Sequence, residues 1–291
     1  MASGILNVNK PAGPTSFAVV RAVRRLPGTR KVGHGGTLDP AADGVLPILI
    51  NSATRLADFV HQWPKTYLAT VTFGAVSDTG DRQGTITASG DARSLTRATV
   101  EAVLPSFTGR VAQVPPMYSA LKHGGEALYR KARRGETVDR QPRTVEIHAI
   151  ELVDFDAAAG VARLEVQSGR GMYVRSLAQD LGVALECGAY LSALTRLAVG
   201  PLTLQTSIPL DTIVALGDDW TGELLPMDLP VQDWPAITLD PTEVSMVRRG
   251  QTIKAPADAS GRYRMLDGEG QLVAWGEVAG NVLQPRAVFD S

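Results

Sequence analysis

The sequence predicts an α+β domain followed by a small β-rich domain, and three observations carry that prediction. Strand-like alternation at Lys65–Phe73, Thr144–Asp156 and Val161–Ser168 is interleaved with helical periodicity at Ser16–Leu26 and Tyr173–Glu186. An acidic, proline-containing stretch around Asp218–Pro241 marks a boundary. Beyond it, Met246–Phe289 reads as short strands separated by Gly and Asp turns. This divides the chain into residues 1–225 and 235–291.

Each element has a local reason. Ser16–Leu26 is a short amphipathic helix with Ser16 as N-cap and Phe17, Val20 and Val23 on one face. Gly44–Ile50 is a buried strand leaving a glycine-rich loop. Ser52 then caps a helix, Ala53–His61. After the strand Lys65–Phe73, the run SDTGDRQG is turn chemistry before a second strand near Thr85–Ala88. Leu95–Leu104 is a helix ended by Pro105, and a loop of small residues joins the strands Thr144–Asp156 and Val161–Ser168. In Tyr173–Glu186, Val174, Leu177, Ala178, Leu181 and Leu185 recur at helical spacing, and Gly188 ends the helix. Tyr190–Val199 is extended.

With 291 residues, 44% hydrophobic and 20% charged, the chain can bury a sizeable core. No signal peptide is expected, and the apolar run at Gly44–Ile50, broken by Pro47, is too short to cross a bilayer. Cys187, the single cysteine, cannot form an internal disulfide and reads as a buried thiol. The four histidines are scattered, with no paired Cys/His spacing for zinc. The expectation is a soluble, cytoplasmic protein without metal or cofactor.

A net charge of −1 argues against a polyanionic partner, but the charges are segregated. Arg21–His34 holds five Lys/Arg and no acid, and Leu121–Arg143 holds seven against three. Gln205–Val247 holds eight Asp/Glu and no Lys or Arg. Such a distribution permits a basic, phosphate-binding face on a neutral protein. The competing reading is ordinary solvated surface.

Four segments carry candidate chemistry. In GHGGTLDPAADGVLPI (Gly33–Ile48), four glycines within Gly33–Gly44 let the backbone pass close to a ligand, and no Gly-Lys-Ser/Thr follows to make a phosphate loop. Pro40 biases Asp39 toward extended geometry at a defined corner. A turn Asp is the competing reading. His34 on the same loop and the basic Arg21–Lys31 stretch beside it favour a nucleic-acid site. In KTYLATVTFGAVSDTGDRQG, Lys65 and Tyr67 share one strand face, a cation beside an aromatic plane, against which core packing of Tyr67 stands as the alternative. QVPPMYSALKHGGEALYRKARRGETV (Gln113–Val138) enters through Pro115-Pro116 and continues as a long basic excursion, with a basic insertion at about residues 121–143. Its Lys122, Arg130, Lys131, Arg133 and Arg134, with Tyr118 and Tyr129, suit phosphate and base contacts. In SGRGMYVRSLAQDLG, Arg175 in the opening turn of a helix opposes the helix dipole and needs a partner, for which Asp39 is the natural candidate. Such a pair would keep Asp39 ionised. A surface Arg is the alternative.

In this order the segments resemble the bacterial tRNA pseudouridine-55 synthases, the TruB family. The opening GILNVNKPAGPTSFAVV is similar to that family's N-terminal motif, GHGGTLDPAADGVLPI to its catalytic motif, and the remaining segments follow in its order over roughly residues 4–204. The tail, MVRRGQTI through LQPRAVF, resembles its small RNA-binding module in divergent form. Two departures stand out: GHGG where many members have GHTG, and Asp43 where a small residue or Thr is common. The resemblance implies a pseudouridine-synthase-like catalytic domain around a central mixed or antiparallel sheet, with a PUA-like C-terminal domain. It implies isomerisation of uridine 55 in the T-stem-loop of tRNA; the oligomeric state is left open, with a monomer as the default expectation. Asp39 would attack C1′ or remove the C2′ proton, and His34 would fill the space vacated by the flipped base. Tyr67 would stack on the uracil, Tyr173 and Arg175 would hold the base and the carboxylate, and Leu194 would line the pocket. Lys65 and the basic excursion would contact RNA.

Three rivals compete. A guide-RNA-dependent, dyskerin-type synthase shares the catalytic motif but usually lacks the long basic insertion. A non-catalytic tRNA-folding module would not need Asp39. A retaining glycosidase needs a second carboxylate about 5–5.5 Å away, for which Asp43 is available, though without a sugar-binding aromatic cluster.

Overall fold

The computed structural model describes residues 2–119 and 121–289, with Arg133 described by its backbone alone. The chain begins β1 (Gly4–Lys10), α1 (Ser16–Val23), β2 (Val32–His34), β3 (Asp43–Ile50), α2 (Ala57–Gln62) and β4 (Lys65–Phe73). The hairpin β5 (Ala75–Ser77) and β6 (Ile86–Ala88), then α3 (Arg97–Val103) and β7 (Gly109–Gln113), lead to the basic excursion. That excursion holds a second small hairpin, β8 (Lys122–His123) and β9 (Glu126–Ala127), and α4 (Leu128–Arg133). Next come β10 (Arg143–Asp156), β11 (Val161–Ser168), α5 (Val174–Ala184), β12 (Ala189–Val199), β13 (Leu202–Thr203), β14 (Ile208–Pro209) and α6 (Leu210–Ala215). The C-terminal part is β15 (Ala236–Thr238), α7 (Pro241–Arg248), β16 (Ile253–Lys254), β17 (Arg262–Leu266), β18 (Leu272–Ala279) and β19 (Val282–Val288).

Ten strands form one mixed sheet in the order β14-β1-β3-β12-β4-β11-β10-β7, with β2 on β3 and β13 on β12. Only β1/β14 and β3/β12 pair in parallel. In the middle, β3 is buried from Gly44 onward because both its faces are covered, so it reads as a continuous apolar run rather than an alternation. Pro47 is tolerated there. Its carbonyl accepts from Gly35 N at 2.8 Å, one residue past the end of the β2/β3 ladder, so its nitrogen faces a stretch that asks for no ladder donor. On one side of the sheet α5 buries Leu177, Ala178 and Leu181 against Ala69, Val71, Leu164 and Val166. A second cluster joins Val19, Val20 and Val23 of α1 to Leu46, Ile48, Ile213 and Trp220. Each buried Val, Leu or Ile side chain among these contributes about 1.5–3 kcal/mol by leaving water.

The C-terminal part forms its own five-stranded sheet, β15-β17-β18-β19-β16. Against it packs α7, started by a reciprocal capping box between Asp240 and Glu243. A further cluster joins this part to the turn and helix at Asn51–Gln62: Leu56, Val231, Leu272 and Phe289 are buried together, and the rings of Phe59, Trp234 and Trp275 meet edge-to-face at 5.1–5.7 Å. The Arg262 guanidinium lies 5.3 Å from the Trp234 ring centre.

Several local expectations are corrected. Thr15, not Ser16, caps α1, its side chain accepting from Ala18 N at 3.0 Å; Ser16 is buried and spent elsewhere. The helix turns Val19, Val20 and Val23 inward, leaving Phe17 68% exposed. Ser52 caps nothing: Asn51–Leu56 is a 3-10 turn before α2. Residues 241–248 are helical, so the C-terminal strands resume only at Ile253. A capping proline at the first helical position was the signal to read there.

Candidate active site

The loop between β2 and β3 presents Asp39, and its shape is imposed from below. Ser16 Oγ accepts from Leu38 N at 2.8 Å and donates to Leu38 O at 2.9 Å, clamping the first turn of α1 to the residue before Asp39. Gly13 N donates to Pro40 O at 2.7 Å. Two buried cations hold the loop's carbonyls. Lys10 Nζ donates to Ala42 O at 2.7 Å and Pro11 O at 2.8 Å. Arg196, 1% exposed, donates to Val45 O, Thr37 O and Gly36 O at 2.7, 3.2 and 3.1 Å. Gly44 has φ +101°, and a Cβ there would lie 2.3 Å from Arg196 O, so only glycine lets β3 approach β12 this closely.

Arg175 meets the carboxylate in fork geometry, Nε to Oδ2 at 3.0 Å and Nη2 to Oδ1 at 3.3 Å. Only 4% exposed, it is fixed by donating to Tyr118 O at 2.7 Å and Thr79 O at 3.2 Å. A second carboxylate, Asp81, stands 3.8 Å from Nη1 and is itself held by Thr79 Oγ1 and Gln83 N. The partner expected for Arg175 is therefore Asp39, with Asp81 behind. Arg175 pulls the Asp39 carboxyl down, as expected, but burial opposes it. Burial pushes its carboxyl above the usual range and the Asp81 charge adds to this, while Arg175 and Lys10 pull it back only in part. Burial also lowers Lys10 and Lys65 to about 8.

Asp39 opens on a cleft of about 970 Å³ lined by His34, Tyr67, Tyr173, Arg175 and Leu194, so the fold gathers these five expected neighbours around it. His34 Nδ1 accepts from Gly36 N at 3.3 Å, and burial lowers its pKa, favouring a neutral ring. Gln113 grips Tyr173 on both sides, accepting from its N at 3.0 Å and donating to its O at 3.3 Å. In the β12/β4 ladder Leu194 stands opposite Ala69 and Arg196 opposite Tyr67. Lys65 lines the cleft but is buried, and its ammonium donates to His61 O and Trp63 O, so it braces the wall instead of reaching for a phosphate.

The basic excursion contributes Tyr118 and Tyr129 to the cleft. Its cations are partly spent internally. Arg134 forks onto Glu126 at 2.6 and 2.8 Å and reaches Glu136 at 2.7 Å; Lys131 is 3.9 Å from Glu136. Arg130 donates to Tyr129 Oη at 3.3 Å. Lys122 is exposed on β8, and the side chain of Arg133 lies outside the described residues.

Sequence reasoning missed Lys10, Arg196, Asp81 and His61. Arg196 was findable, since it stands two residues from Leu194 on one strand and side chains repeat every two. Asp81 was read as turn chemistry and is brought in only by tertiary structure. Asp43, the second carboxylate named in the glycosidase reading, does not line the cleft; Asp81 does, tied to Thr79 Oγ1 and Gln83 N. Among the described residues, no cluster of three His/Cys/Asp/Glu side chains could hold a metal, and no helix is long and apolar enough to cross a membrane.

The model for the TruB family pseudouridylate synthase N-terminal domain matches residues 24–174, and that for the pseudouridine synthase II TruB C-terminal domain matches residues 235–289. The chain belongs to the TruB family. Its TruB relatives include tRNA pseudouridine synthase B of Syntrophomonas wolfei, 42% identical over 98% of both chains. Another is tRNA pseudouridine synthase B of Dehalococcoides mccartyi, 44% identical over 87% of this chain and 84% of its own. Among solved structures, a chain of a Cbf5-Nop10-Gar1 complex superposes with a TM-score of 0.73 at 25% identity, covering 99% of this TruB chain and 85% of that one.

Proposed function

We propose that this chain isomerises uridine 55 in the T-stem-loop of tRNA to pseudouridine, as a cytoplasmic monomer with residues 1–225 as catalytic domain and 235–291 as an RNA-binding module. The observation that carries the reading is Asp39, held in a fork by buried Arg175, at the floor of a cleft large enough to enclose a nucleotide.

The target base is stacked in RNA and must be flipped out, at a cost of a few kcal/mol. His34, rimming the cleft as a neutral ring, takes the vacated space, and the uracil stacks on Tyr67 against Leu194 and Tyr173. Ionised Asp39 then attacks C1′, or removes the C2′ proton; either breaks the N1–C1′ bond and leaves the electron pair on the uracil. The base turns within the cleft and C5 bonds to C1′, expelling the Asp39 carboxylate on the first route or, on the second, with Asp39 returning its proton to C2′; the C5 proton is then released and N1 gains one. Atoms and electrons balance without an oxidant or co-reactant. Water must stay out, because hydrolysis at C1′ would leave an abasic site.

Likeness to the Cbf5-containing assembly raises a guide-RNA-dependent reading. The basic excursion, with Tyr118 and Tyr129 in the cleft, favours the stand-alone enzyme. Tritium release from [5-³H]uridine in an unmodified tRNA transcript, with no other RNA present, tests both. Asp39→Asn is expected to abolish release while tRNA binding survives. Release by that variant refutes the mechanism, and release by the native chain only with added guide RNA refutes the stand-alone reading.

A further inference from the structure

We propose that the outer face of α1, formed by Phe17, Arg21 and Arg24, is a second RNA contact surface that takes the strand flanking the flipped nucleotide. The proposal rests on the reading of the cleft as a pseudouridine synthase site and adds to it where the RNA runs on leaving the cleft.

Phe17 is the clue. An aromatic ring 68% exposed on a helix that buries its valines is unfavourable in water, yet it lines the mouth of the cleft. It is also held in place. The neighbouring Ser16 is bonded to both backbone groups of Leu38, and Thr15 caps the helix, so the ring is carried on a turn tied to the residue before Asp39.

Helix geometry extends the clue. At about 100° per residue, Arg21 lies about 40° to one side of Phe17 and Arg24 about 20° to the other, giving one stripe about 10 Å long. Both arginines are exposed, as are Arg25, Arg30 and Lys31 beyond them. Among the described residues none of these five cations forms an ion pair, whereas Arg134 of the basic excursion is committed to two glutamates. The acidic stretch that packs beneath α1 does so through Ile213 and Trp220, and none of its carboxylates pairs with the stripe. A flat ring at the rim followed by unneutralised cations is the arrangement single-stranded nucleic acid takes: one base stacks and the following phosphates are screened.

The test uses the full chain and a tRNA transcript, with binding by filter retention across salt and turnover by tritium release. In Arg21→Ala/Arg24→Ala the slope of log affinity against log salt should shrink by about 1.4 if the phosphates are single-stranded and about 1.8 if duplex. KM should rise with kcat unchanged. Phe17→Ala should raise KM about fivefold or more, and Phe17→Trp should restore it. An unchanged slope and KM in the double variant overturns the proposal. So does an equal loss of slope in Arg163→Ala, which removes an exposed cation on β11 outside the cleft. The slope is read from binding alone, so a native chain that binds tRNA but releases no tritium refutes the catalytic reading and leaves this test standing.

Discussion

Replacing Arg175 separates its two contributions to Asp39, charge and position. Arg175→Gln removes the cation 3.0 Å from Oδ2, and the carboxyl, already pushed up by burial, loses its main counterweight. An opposite charge at this range typically lowers a carboxyl by about 1–3 units. Because the Asp39 side chain is 35% exposed toward the cleft, solvent screening puts the lower part of that range in force, about 1–2 units. The sign follows: in the proposed mechanism Asp39 acts ionised, so a higher pKa moves the acid limb of the pH–rate profile up by about 1–2 units. Arg175→Lys keeps a charge but not the fork or the grip on Tyr118 O and Thr79 O. It should lower kcat about 10²-fold by misplacing the carboxylate, with the acid limb within half a unit of the native one. The assay is kcat/KM for tritium release from pH 5 to 9, with near-ultraviolet circular dichroism to confirm packing. An acid limb in the folded Gln variant at the native position refutes the electrostatic role.

Asp81→Asn should shift the same limb the other way, since it removes the negative charge that helps raise Asp39. A limb that moves up or stays would show that Asp81 acts on Arg175's placement alone. Gly35→Ala puts a Cβ 2.3 Å from Val60 Cγ1 and 3.0 Å from Pro47 Cβ, an overpacking worth about 1–3 kcal/mol in denaturant unfolding. Val60→Ala in the same chain should recover most of that loss, and failure to do so would place the strain elsewhere.

Legibility in the sequence followed the range of the forces. Elements set by local periodicity were readable: Lys65–Phe73 is β4 to the residue, and the strands predicted at Thr144–Asp156 and Val161–Ser168 are β10 and β11, because alternation and burial coincide there. The N-terminus of α1 was misjudged by one residue because Thr15 and Ser16 offer the same hydroxyl, and only the position of Leu38 decides which one is free to cap. The site's outer ring was legible through the motifs that carry it. Its foundations were not. A lysine at the end of an edge-like strand and an arginine in an apolar one look like surface charges until the sheet closes over them. Both are inward because each finds three backbone carbonyls to donate to, a condition no local window contains. The pull of Arg175 on Asp39 was foreseen, but the larger opposing effect of burial depends on how the cleft closes.

The ring cluster of Phe59, Trp234 and Trp275 changes what the last 55 or so residues are for. Leu56 is fully shielded and Val231 1% exposed because Leu272 and Phe289 arrive from the far end of the chain to cover them. A chain cut near residue 232 would therefore bare a greasy patch on the turn and helix at Asn51–Gln62. The module that is proposed to grip RNA doubles as the waterproofing of the domain it follows.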